Sequence, residues 1–423
     1  MASTFLSFLG TNNYLGCIYQ FPDNQHFQTK YTQIAVIKKH YNEINKFLFF
    51  LTEDAKKNNW DGEGKLKDEL DKLKINEVKT IDIPNGFDNN QLLYIFTLLV
   101  QNIENEATLI IDVTHSFRSL PITLSSVLEY LKKVKNVSIK YIYYGAFEVL
   151  GNPRDVEKKP VEERIAPILD ITYLSAINDW TSAIDYFLEY GNIDKLKDLS
   201  HTAIKPILIE TQGKDEVATA IRYVINILDK LLNALYTCRI GEIFDVIGKF
   251  NDLNESLNKV INKEDNAILP QIVEPFKRIQ EKLQILNGDE DITFKSIKLV
   301  KWCIDYNWIQ QGFTLLQENL ISYVLIKNKK DYFEKQERES LSSAFNIIKN
   351  NIPECKWKGD IDKIRNCTEN FVLVKELAVI YNDLSDYRND INHGGYRQNS
   401  RKADDLKQKL NYFYERTLEI LLR

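Results

Sequence analysis

Residues 108–121 read Thr-Leu-Ile-Ile-Asp-Val-Thr-His-Ser-Phe-Arg-Ser-Leu-Pro, an apolar and β-branched run that passes into a polar loop. Such a run predicts a buried strand, and the helical pattern of residues 117–134 follows it. In open parallel sheets, ligands bind beyond the carboxyl ends of the strands, where the N–H groups of the next helix favour anions. The segment therefore predicts a central strand followed by a candidate anion site.

The same alternation of strand and helix continues on both sides of this segment. Helical patterns cover residues 63–74 and 90–103, and strand patterns cover residues 5–9, 46–52, 78–83, 137–144 and 168–173. Strands that alternate with helices imply a parallel sheet covered by helices on both faces. We therefore predict an α/β domain over residues 1–175.

Long helical periodicity replaces this alternation after about residue 174. It is clearest in residues 217–234, 299–326 and 371–387, where Gly and Pro are rare. We therefore predict an all-α region over residues 176–423.

Composition limits the classes of function. The 423 residues carry 55 Lys+Arg against 60 Asp+Glu, a net charge of −5, so any contact with nucleic acid must be local. The sequence shows neither a membrane-span pattern nor the basic start of a signal peptide, so we expect a cytoplasmic protein without membrane contact. The five cysteines lack paired spacing, so we expect neither disulfides nor a metal.

Five polar residues follow the predicted central strand: Asp112, Thr114, His115, Ser116 and Arg118. Thr114 and Ser116 can cap the next helix or bind a ligand, whereas Arg118 in the first turn opposes the helix dipole. A bound phosphate would explain that cation. The alternative is that the loop only caps the helix and that His115 and Arg118 pair with surface acids.

The loop after the first strand, Gly10-Thr11-Asn12-Asn13, offers small side chains and backbone groups. It lacks the lysine of a phosphate loop, and the chain has no G-x-G-x-x-G, so neither Walker-type hydrolysis nor a dinucleotide cofactor is indicated.

A second group of polar residues, Arg388, Asn389 and His393, ends the helical pattern near the C-terminus. Arg388 continues the apolar stripe of that helix, seven residues after Tyr381. His393 lies about 140° around an ideal helix from Arg388, so the two would converge where the helix ends at Gly394-Gly395, or across a symmetric pair of chains.

These residue types suit RNA cleavage without a metal. A histidine can move protons between the 2′-hydroxyl and the leaving 5′-oxygen, an arginine can stabilise the charge on the phosphate, and Asn389 can orient either. The alternative is a helix C-cap, with Arg388 paired to Asp386 or Asp390.

Taken together, these segments resemble the CRISPR-associated CARF–HEPN ribonucleases. Residues 9–14, 112–118, 143–148 and 167–180 follow the order of the family's sensor-domain blocks, and the Arg-x4-His motif falls at the family's HEPN position. The resemblance covers about the first 190 and the last 50 residues. It implies a Rossmann-like CARF sensor domain followed by an all-α HEPN domain.

The resemblance also implies roles for the residues singled out above. The chain would be a metal-independent endoribonuclease of type III CRISPR antiviral defence, without a cofactor, that a cyclic oligoadenylate activates allosterically. It would cut single-stranded RNA as a homodimer or higher oligomer and leave a 2′,3′-cyclic phosphate. Cyclic tetraadenylate is the activator that the resemblance to this family leads us to expect. The implied activator ligands are Gly10, Thr11, Asn12, Asn13, Asp112, Thr114, His115, Ser116 and Arg118, and the implied catalytic residues are Arg388, Asn389 and His393.

Two alternatives stay open at this point. One is a non-catalytic sensor or adaptor dimer that responds to a cyclic nucleotide and needs neither Arg388 nor His393. The other is a sensor that also degrades its own activator, with Thr11, Asn12 or His115 positioning a ribose hydroxyl.

Overall fold

A computed structural model describes residues 3–75, 77–115, 120–262, 270–396 and 400–423. Ser116 and Arg118 lie outside these ranges, so their roles stay predictions. The chain divides into two compact units, Met1–Asn178 and Asp179–Arg423. The division falls three residues beyond the end of the predicted α/β domain, within a helix that spans Tyr173–Tyr190.

The first unit is built around one eight-stranded sheet. Its strands are β1 (Ser3–Phe8), β2 (Cys17–Gln20), β3 (His26–Thr29), β4 (Ile44–Leu51), β5 (Val78–Asp82), β6 (Thr108–Asp112), β7 (Ser138–Gly145) and β8 (Ile165–Asp170). Their order across the sheet is β3-β2-β8-β7-β6-β1-β4-β5. Each strand predicted from the sequence is present, and β2 and β3 are additional.

The sheet is parallel in one half and mixed in the other. Strands β7, β6, β1, β4 and β5 are parallel, whereas β8 pairs antiparallel with β7 and β3 pairs antiparallel with β2. The expectation that residues 168–173 add a strand to a purely parallel sheet is therefore wrong. The link between β7 and β8 contains only short helical turns, the longest of them four residues, and lacks the long helix that usually carries the chain back between parallel strands.

Helices cover both faces of this sheet, as the alternation of patterns predicts. They are α1 (Thr32–Lys39), α2 (Glu53–Ala55), α3 (Leu66–Lys72), α4 (Asn89–Asn102), α5 (Leu120–Lys135) and α6 (Pro153–Val156), with a π-helical turn at Lys56–Trp60. Phe5 and Phe49 pack with α1 and α3 on one face, whereas their sequence neighbours Leu6 and Phe50 pack with α4 and α5 on the other. Because successive side chains of a strand point to opposite faces, β1 and β4 supply both cores.

The second unit is helical throughout its described residues. Its helices are α7 (Tyr173–Tyr190, which begins in the first unit), α8 (Asp194–Glu210), α9 (Glu216–Tyr236), α10 (Ile240–Gly248), α11 (Phe250–Ile261), α12 (Pro270–Leu283), α13 (Ile292–Asp305), α14 (Ile309–Lys327), α15 (Lys335–Asn350), α16 (Ile361–Asn370), α17 (Val374–Asn392) and α18 (Ala403–Leu421). Helix α14 is the central element, in contact with α13, α15, α17 and α18. None of the helices in the described ranges is long and apolar enough to span a membrane.

The structure corrects one long helix of the second unit. Residues 299–326, predicted as one helix, belong to α13 and α14, with a break at Asn307. Asn307 has a φ of 59°, and the Trp308 N–H donates to the carbonyl of Cys303 at 2.7 Å. A left-handed residue that lets the next N–H return to the last turn is a common way to end a helix, and asparagine tolerates that conformation.

Candidate functional site

The two polar loops singled out from the sequence leave neighbouring strands. Strand β1 pairs with β6, and Ser7 lies opposite Asp112 at their carboxyl ends. From β1 the sheet continues through β4 on one side, and from β6 it continues through β7 on the other. The two loops therefore flank the point where the strand order reverses, which is where open α/β sheets bind ligands.

Asp112 is fully buried and fixes the base of this region. Its carboxylate accepts hydrogen bonds from the Ser7 hydroxyl at 2.9 Å and from the Thr114 N–H at 3.1 Å. The Thr114 hydroxyl also donates to the Asp112 carboxylate, and the oxygen of that hydroxyl accepts a hydrogen bond from the Gly145 N–H at 2.8 Å. Burial raises the pKa of Asp112 to about 6, although these hydrogen bonds oppose the shift. Asp112 thus bonds the end of β6 to β1 directly and to β7 through the Thr114 hydroxyl.

A pocket of about 330 Å³ lies next to Thr114 and Gly145 at the carboxyl ends of these strands. Among the predicted ligand residues, it is lined by Asn12, Asn13, Thr114 and His115, whereas Gly10, Thr11 and Asp112 do not line it. The rest of its wall comprises residues that were not predicted as ligands. Tyr14, Tyr144, Gly145, Phe147 and Glu148 belong to the sequence blocks that carry the resemblance, whereas Leu15, Tyr19, Lys30, Gly151 and Pro153 were not singled out. Residues from the ends of β1, β6 and β7 therefore share one pocket.

His115 contributes a neutral ring to this pocket. Its ring centroid lies 4.1 Å from that of Tyr14, and its Nε2 is buried without a hydrogen-bond partner among the described residues. Burial lowers the pKa of His115 to about 3, so the imidazole is uncharged at neutral pH. A neutral imidazole suits a hydrogen bond to a nucleobase or a hydroxyl better than an ion pair with a phosphate.

Two charged side chains, Lys30 and Glu148, line the pocket. Lys30 supplies a cation that forms no ion pair within the described ranges, and its Nζ lies 5.1 Å from the Tyr31 ring centroid. Glu148 accepts a hydrogen bond from the Tyr144 hydroxyl. The pocket therefore offers one group for an anion and several for a polar, aromatic ligand.

The loop after β1 is held from outside the predicted motif. Asn59 is buried in the π-helical turn, and its side-chain amide donates to the carbonyls of Gly10 and Asn12, each at 2.9 Å. Asn58, which is exposed, donates to the carbonyl of Thr11 at 3.2 Å. Sequence reasoning missed both residues because an asparagine pair some 50 positions away carries no pattern that points to a loop.

The second predicted site lies at the end of α17. Arg388 faces α14, where its Nη1 donates to Gln317 at 3.2 Å and to Glu318 at 3.1 Å. Its Nε is buried without a hydrogen-bond partner among the described residues. The alternative in which Arg388 pairs with Asp386 or Asp390 is therefore wrong, because the side chain turns toward the neighbouring helix instead.

Asn389 and His393 are exposed at the same helix end. His393 follows the last helical residue, and Gly394 and Gly395 have φ angles of 62° and 70°, so the helix ends at the predicted glycines. Among the described contacts, no hydrogen bond joins Arg388 to His393. Within one chain, the structure thus places the arginine against α14 and the histidine on the outer turn.

Two further groups stabilise this helix end. The buried carboxylate of Asp390 accepts the Arg401 N–H at 3.2 Å, and the Arg401 guanidinium lies 3.8 Å over the Tyr387 ring. The described residues contain no group of His, Cys, Asp or Glu side chains that could hold a metal ion.

Residues 4–148 match the family model described as the CARF domain of the CRISPR system endoribonuclease Csx1. CRISPR-associated protein MJ1674 of Methanocaldococcus jannaschii is 26% identical over 241 residues, which cover 56% of this chain and 32% of that protein. The chain therefore spans about a third of the length of this relative.

A solved structure also aligns with the chain. Enterococcus italicus Csm6 bound to cyclic hexa-2′-fluoro-hexa-dAMP aligns over 100% of this chain and 94% of that one, with 14% identity and a TM-score of 0.41. The resemblance inferred from residues 9–14, 112–118 and 143–148 is confirmed by the match of the first unit to the CARF model.

Proposed function

We propose that the chain is a CRISPR-associated ribonuclease that a cyclic oligoadenylate switches on, with a CARF sensor domain over the residues that match the CARF family model. The observation that carries the proposal is the pocket at the strand-order reversal of that domain, which combines a cation with a neutral histidine. The helical unit would be the HEPN ribonuclease domain, with Arg388, Asn389 and His393 as its catalytic residues.

The pocket suits the chemistry of a cyclic oligoadenylate. Such a ring offers phosphates, ribose hydroxyls and adenine bases. Lys30 can pair with a phosphate, while the Tyr14 and His115 rings and the amides of Asn12 and Asn13 can contact a base or a ribose. Arg118, which the sequence places in the first turn of the next helix, would add a second cation.

The catalytic step would use no metal. His393 takes the proton of the RNA 2′-hydroxyl and the 2′-oxygen attacks the adjacent phosphorus. The bond to the 5′-oxygen breaks as protonated His393 gives that proton to the leaving 5′-oxygen. Arg388 stabilises the negative charge that grows on the phosphate oxygens. The products are a 2′,3′-cyclic phosphate and a 5′-hydroxyl.

A homodimer would bring Arg388 and His393 together in one catalytic cleft. Each chain holds Arg388 against α14 and exposes His393, so a two-fold pairing of α17 ends can bring the two residue types of both chains to one phosphate. The same symmetry would present two sensor pockets to a symmetric ring.

The test is cleavage of a fluorescent single-stranded RNA in EDTA, with and without cyclic tetraadenylate. Wild type is expected to cut only with the activator, and His393→Ala is expected to lose roughly 10²–10⁴-fold in rate while still binding the activator. His201→Ala, which removes an exposed histidine of α8, is the matched control and should cut normally.

Three results would count against the proposal. Activity that disappears in EDTA and returns with magnesium would exclude the metal-independent mechanism. Efficient cutting of the DNA analogue, which lacks the 2′-hydroxyl, would exclude it equally. Activator binding without RNA cleavage under any condition would favour a non-catalytic sensor.

A further inference from the structure

A second cavity lies in the helical unit, on the side of α17 to which Arg388 turns. It has a volume of about 430 Å³, and its wall includes Arg239, Glu318, Phe333, Arg338 and Arg388. These residues come from the start of α10, from α14, from the loop before α15, from α15 and from α17. We call this cavity the arginine pocket; His393 does not line it.

The arginine pocket carries an excess of positive charge in a chain whose net charge is −5. Three guanidinium groups face one carboxylate, and Glu318 pairs with both Arg388 and Arg338 through its two oxygens. Arg239 is exposed, and its side chain forms no ion pair with any described residue. A local cation excess around an unpaired arginine indicates an anionic ligand.

An aromatic side chain borders the same pocket. Phe333 is 67% exposed, yet its ring packs against a neighbouring aromatic side chain. Its ring centroid lies 4.3 Å from that of Tyr332, which packs edge-on against Phe244 at 5.4 Å. An exposed but supported aromatic ring beside arginines is the arrangement on which single-stranded nucleic acids stack their bases.

The size of the pocket limits what it can hold. Pockets for small ligands span roughly 300–1,000 Å³, so a cavity of about 430 Å³ has room for one nucleotide.

We propose that the arginine pocket binds one nucleotide of the RNA substrate, with Arg239 on a phosphate and Phe333 stacked on the base. The inference rests on the proposed ribonuclease function. It adds a binding subsite next to Arg388, for a nucleotide adjacent to the one whose phosphate is cleaved. Arg239 and Phe333 are positioning residues and take no part in proton transfer.

The experiment measures RNA binding without cleavage. The parent is full-length His393→Ala with saturating cyclic tetraadenylate, and the probe is a fluorescein-labelled single-stranded RNA followed by anisotropy over a series of salt concentrations. Arg239→Gln is expected to weaken binding about tenfold and to reduce the slope of log affinity against log salt by about 0.7, because one phosphate contact is lost.

The aromatic contact has a different signature. Phe333→Leu is expected to weaken binding about tenfold with an unchanged salt slope, and Phe333→Tyr should restore it, because stacking needs an aromatic face and no charge. Arg416→Gln, an exposed arginine of α18 outside the pocket, is the control and should bind like the parent.

The outcomes separate this inference from the function on which it rests. If the parent binds RNA and both variants match it in affinity and salt slope, the subsite is wrong and the ribonuclease proposal stands. If the parent binds no RNA and wild type cuts none, the ribonuclease proposal fails first. If Phe333→Leu changes only the oligomeric state, measured by sedimentation, then Phe333 contacts protein and the stacking role is wrong.

Discussion

The carboxylate of Glu318 accepts a hydrogen bond from the guanidinium of Arg388 at 3.1 Å. Its other oxygen pairs with Arg338 at 2.7 Å, so one acid of α14 holds two arginines from α15 and α17. Arg388 therefore takes its orientation from the central helix of the unit and not from the carboxylates on its own helix. Both partners of the Arg388 pair are about 30% exposed, which limits what the pair contributes to stability.

Glu318→Gln tests this arrangement. Two guanidinium groups lose their shared countercharge, so we expect the free energy of unfolding to fall by about 1 kcal/mol and the RNA cleavage rate to fall as Arg388 loses its fixed orientation. Urea denaturation and the RNA assay measure the two effects. Glu419→Gln, which breaks an exposed pair with Arg416 on α18, should change neither, and equal behaviour of the two variants would contradict the role of Glu318.

Gly10→Ala tests the close approach of Gly10 to Tyr14, which lines the proposed activator pocket. A Cβ at Gly10 would lie 2.5 Å from the Tyr14 hydroxyl, and the Tyr14 ring is packed between Tyr31 and His115. Because Tyr14 has to shift, we expect about 1–3 kcal/mol of lost stability and about tenfold weaker activator binding. In Gly16→Ala the new Cβ meets nothing within 4 Å, so that control should bind the activator like wild type. Matching affinities for the two variants would rule out the contact.

Asn59→Ala tests the support of the β1 loop. The substitution leaves the carbonyls of Gly10 and Asn12 without their side-chain donor, so we expect a loss of about 1–3 kcal/mol in stability and weaker activator binding. Calorimetric titration with cyclic tetraadenylate measures the binding. Asn58→Ala removes one exposed hydrogen bond and should stay within about 0.5 kcal/mol of wild type, and an equal loss in both would mean that burial of Asn59 is irrelevant.

His115→Gln tests the pH dependence of stability. An unfolded histidine takes up a proton near pH 6.5, whereas the pKa of folded His115 is lowered to about 3. The contribution of His115 to the free energy of unfolding is therefore present above pH 6.5. It is lost as pH falls toward 3, by at most about 1.4 kcal/mol per pH unit. We expect His115→Gln to lose less stability than wild type between pH 7 and pH 5, as measured by urea denaturation.

Asp112 is expected to change stability with pH in the opposite direction to His115, so it serves as the comparison. Its pKa is raised to about 6, so its folded form holds a proton more tightly than the unfolded chain, and its contribution is lost as pH rises from about 4 to 6. Asp112→Asn should therefore gain stability relative to wild type as pH rises through that window. Parallel curves for wild type and both variants would show that neither group titrates as described.

Local patterns were enough to predict the centre of the fold. The patterns of residues 108–113 and 371–387 correspond to strand β6 and helix α17, because each pattern is dictated by its own segment. The short strands β2 and β3 were missed since four residues of mixed polarity, such as His26–Thr29, carry no clear period. The break at Asn307 was missed because a single asparagine within a helical pattern is common.

The candidate sites show the same limit. Asn12, Asn13, Thr114 and His115 meet in one pocket, as expected for loops that follow neighbouring strands. The partner of Arg388 was not predictable, because Glu318 is 70 residues away and only the packing of α14 against α17 brings it close. Side chains that support a site from another element leave no signal at the site's own position in the sequence.

The hydroxyl of Thr114 has a consequence for how this domain can diverge. One oxygen donates to Asp112 and accepts from Gly145, so it bonds the β6 loop to the end of β7, and only serine or threonine can do both there. In contrast, Asn13 and Glu148, which line the pocket, form no hydrogen bonds that bridge two strand ends within the described contacts. Substitutions at those pocket positions would change which ligand the pocket accepts without breaking the bonds between β6 and β7, so a change of ligand specificity would need no change of fold.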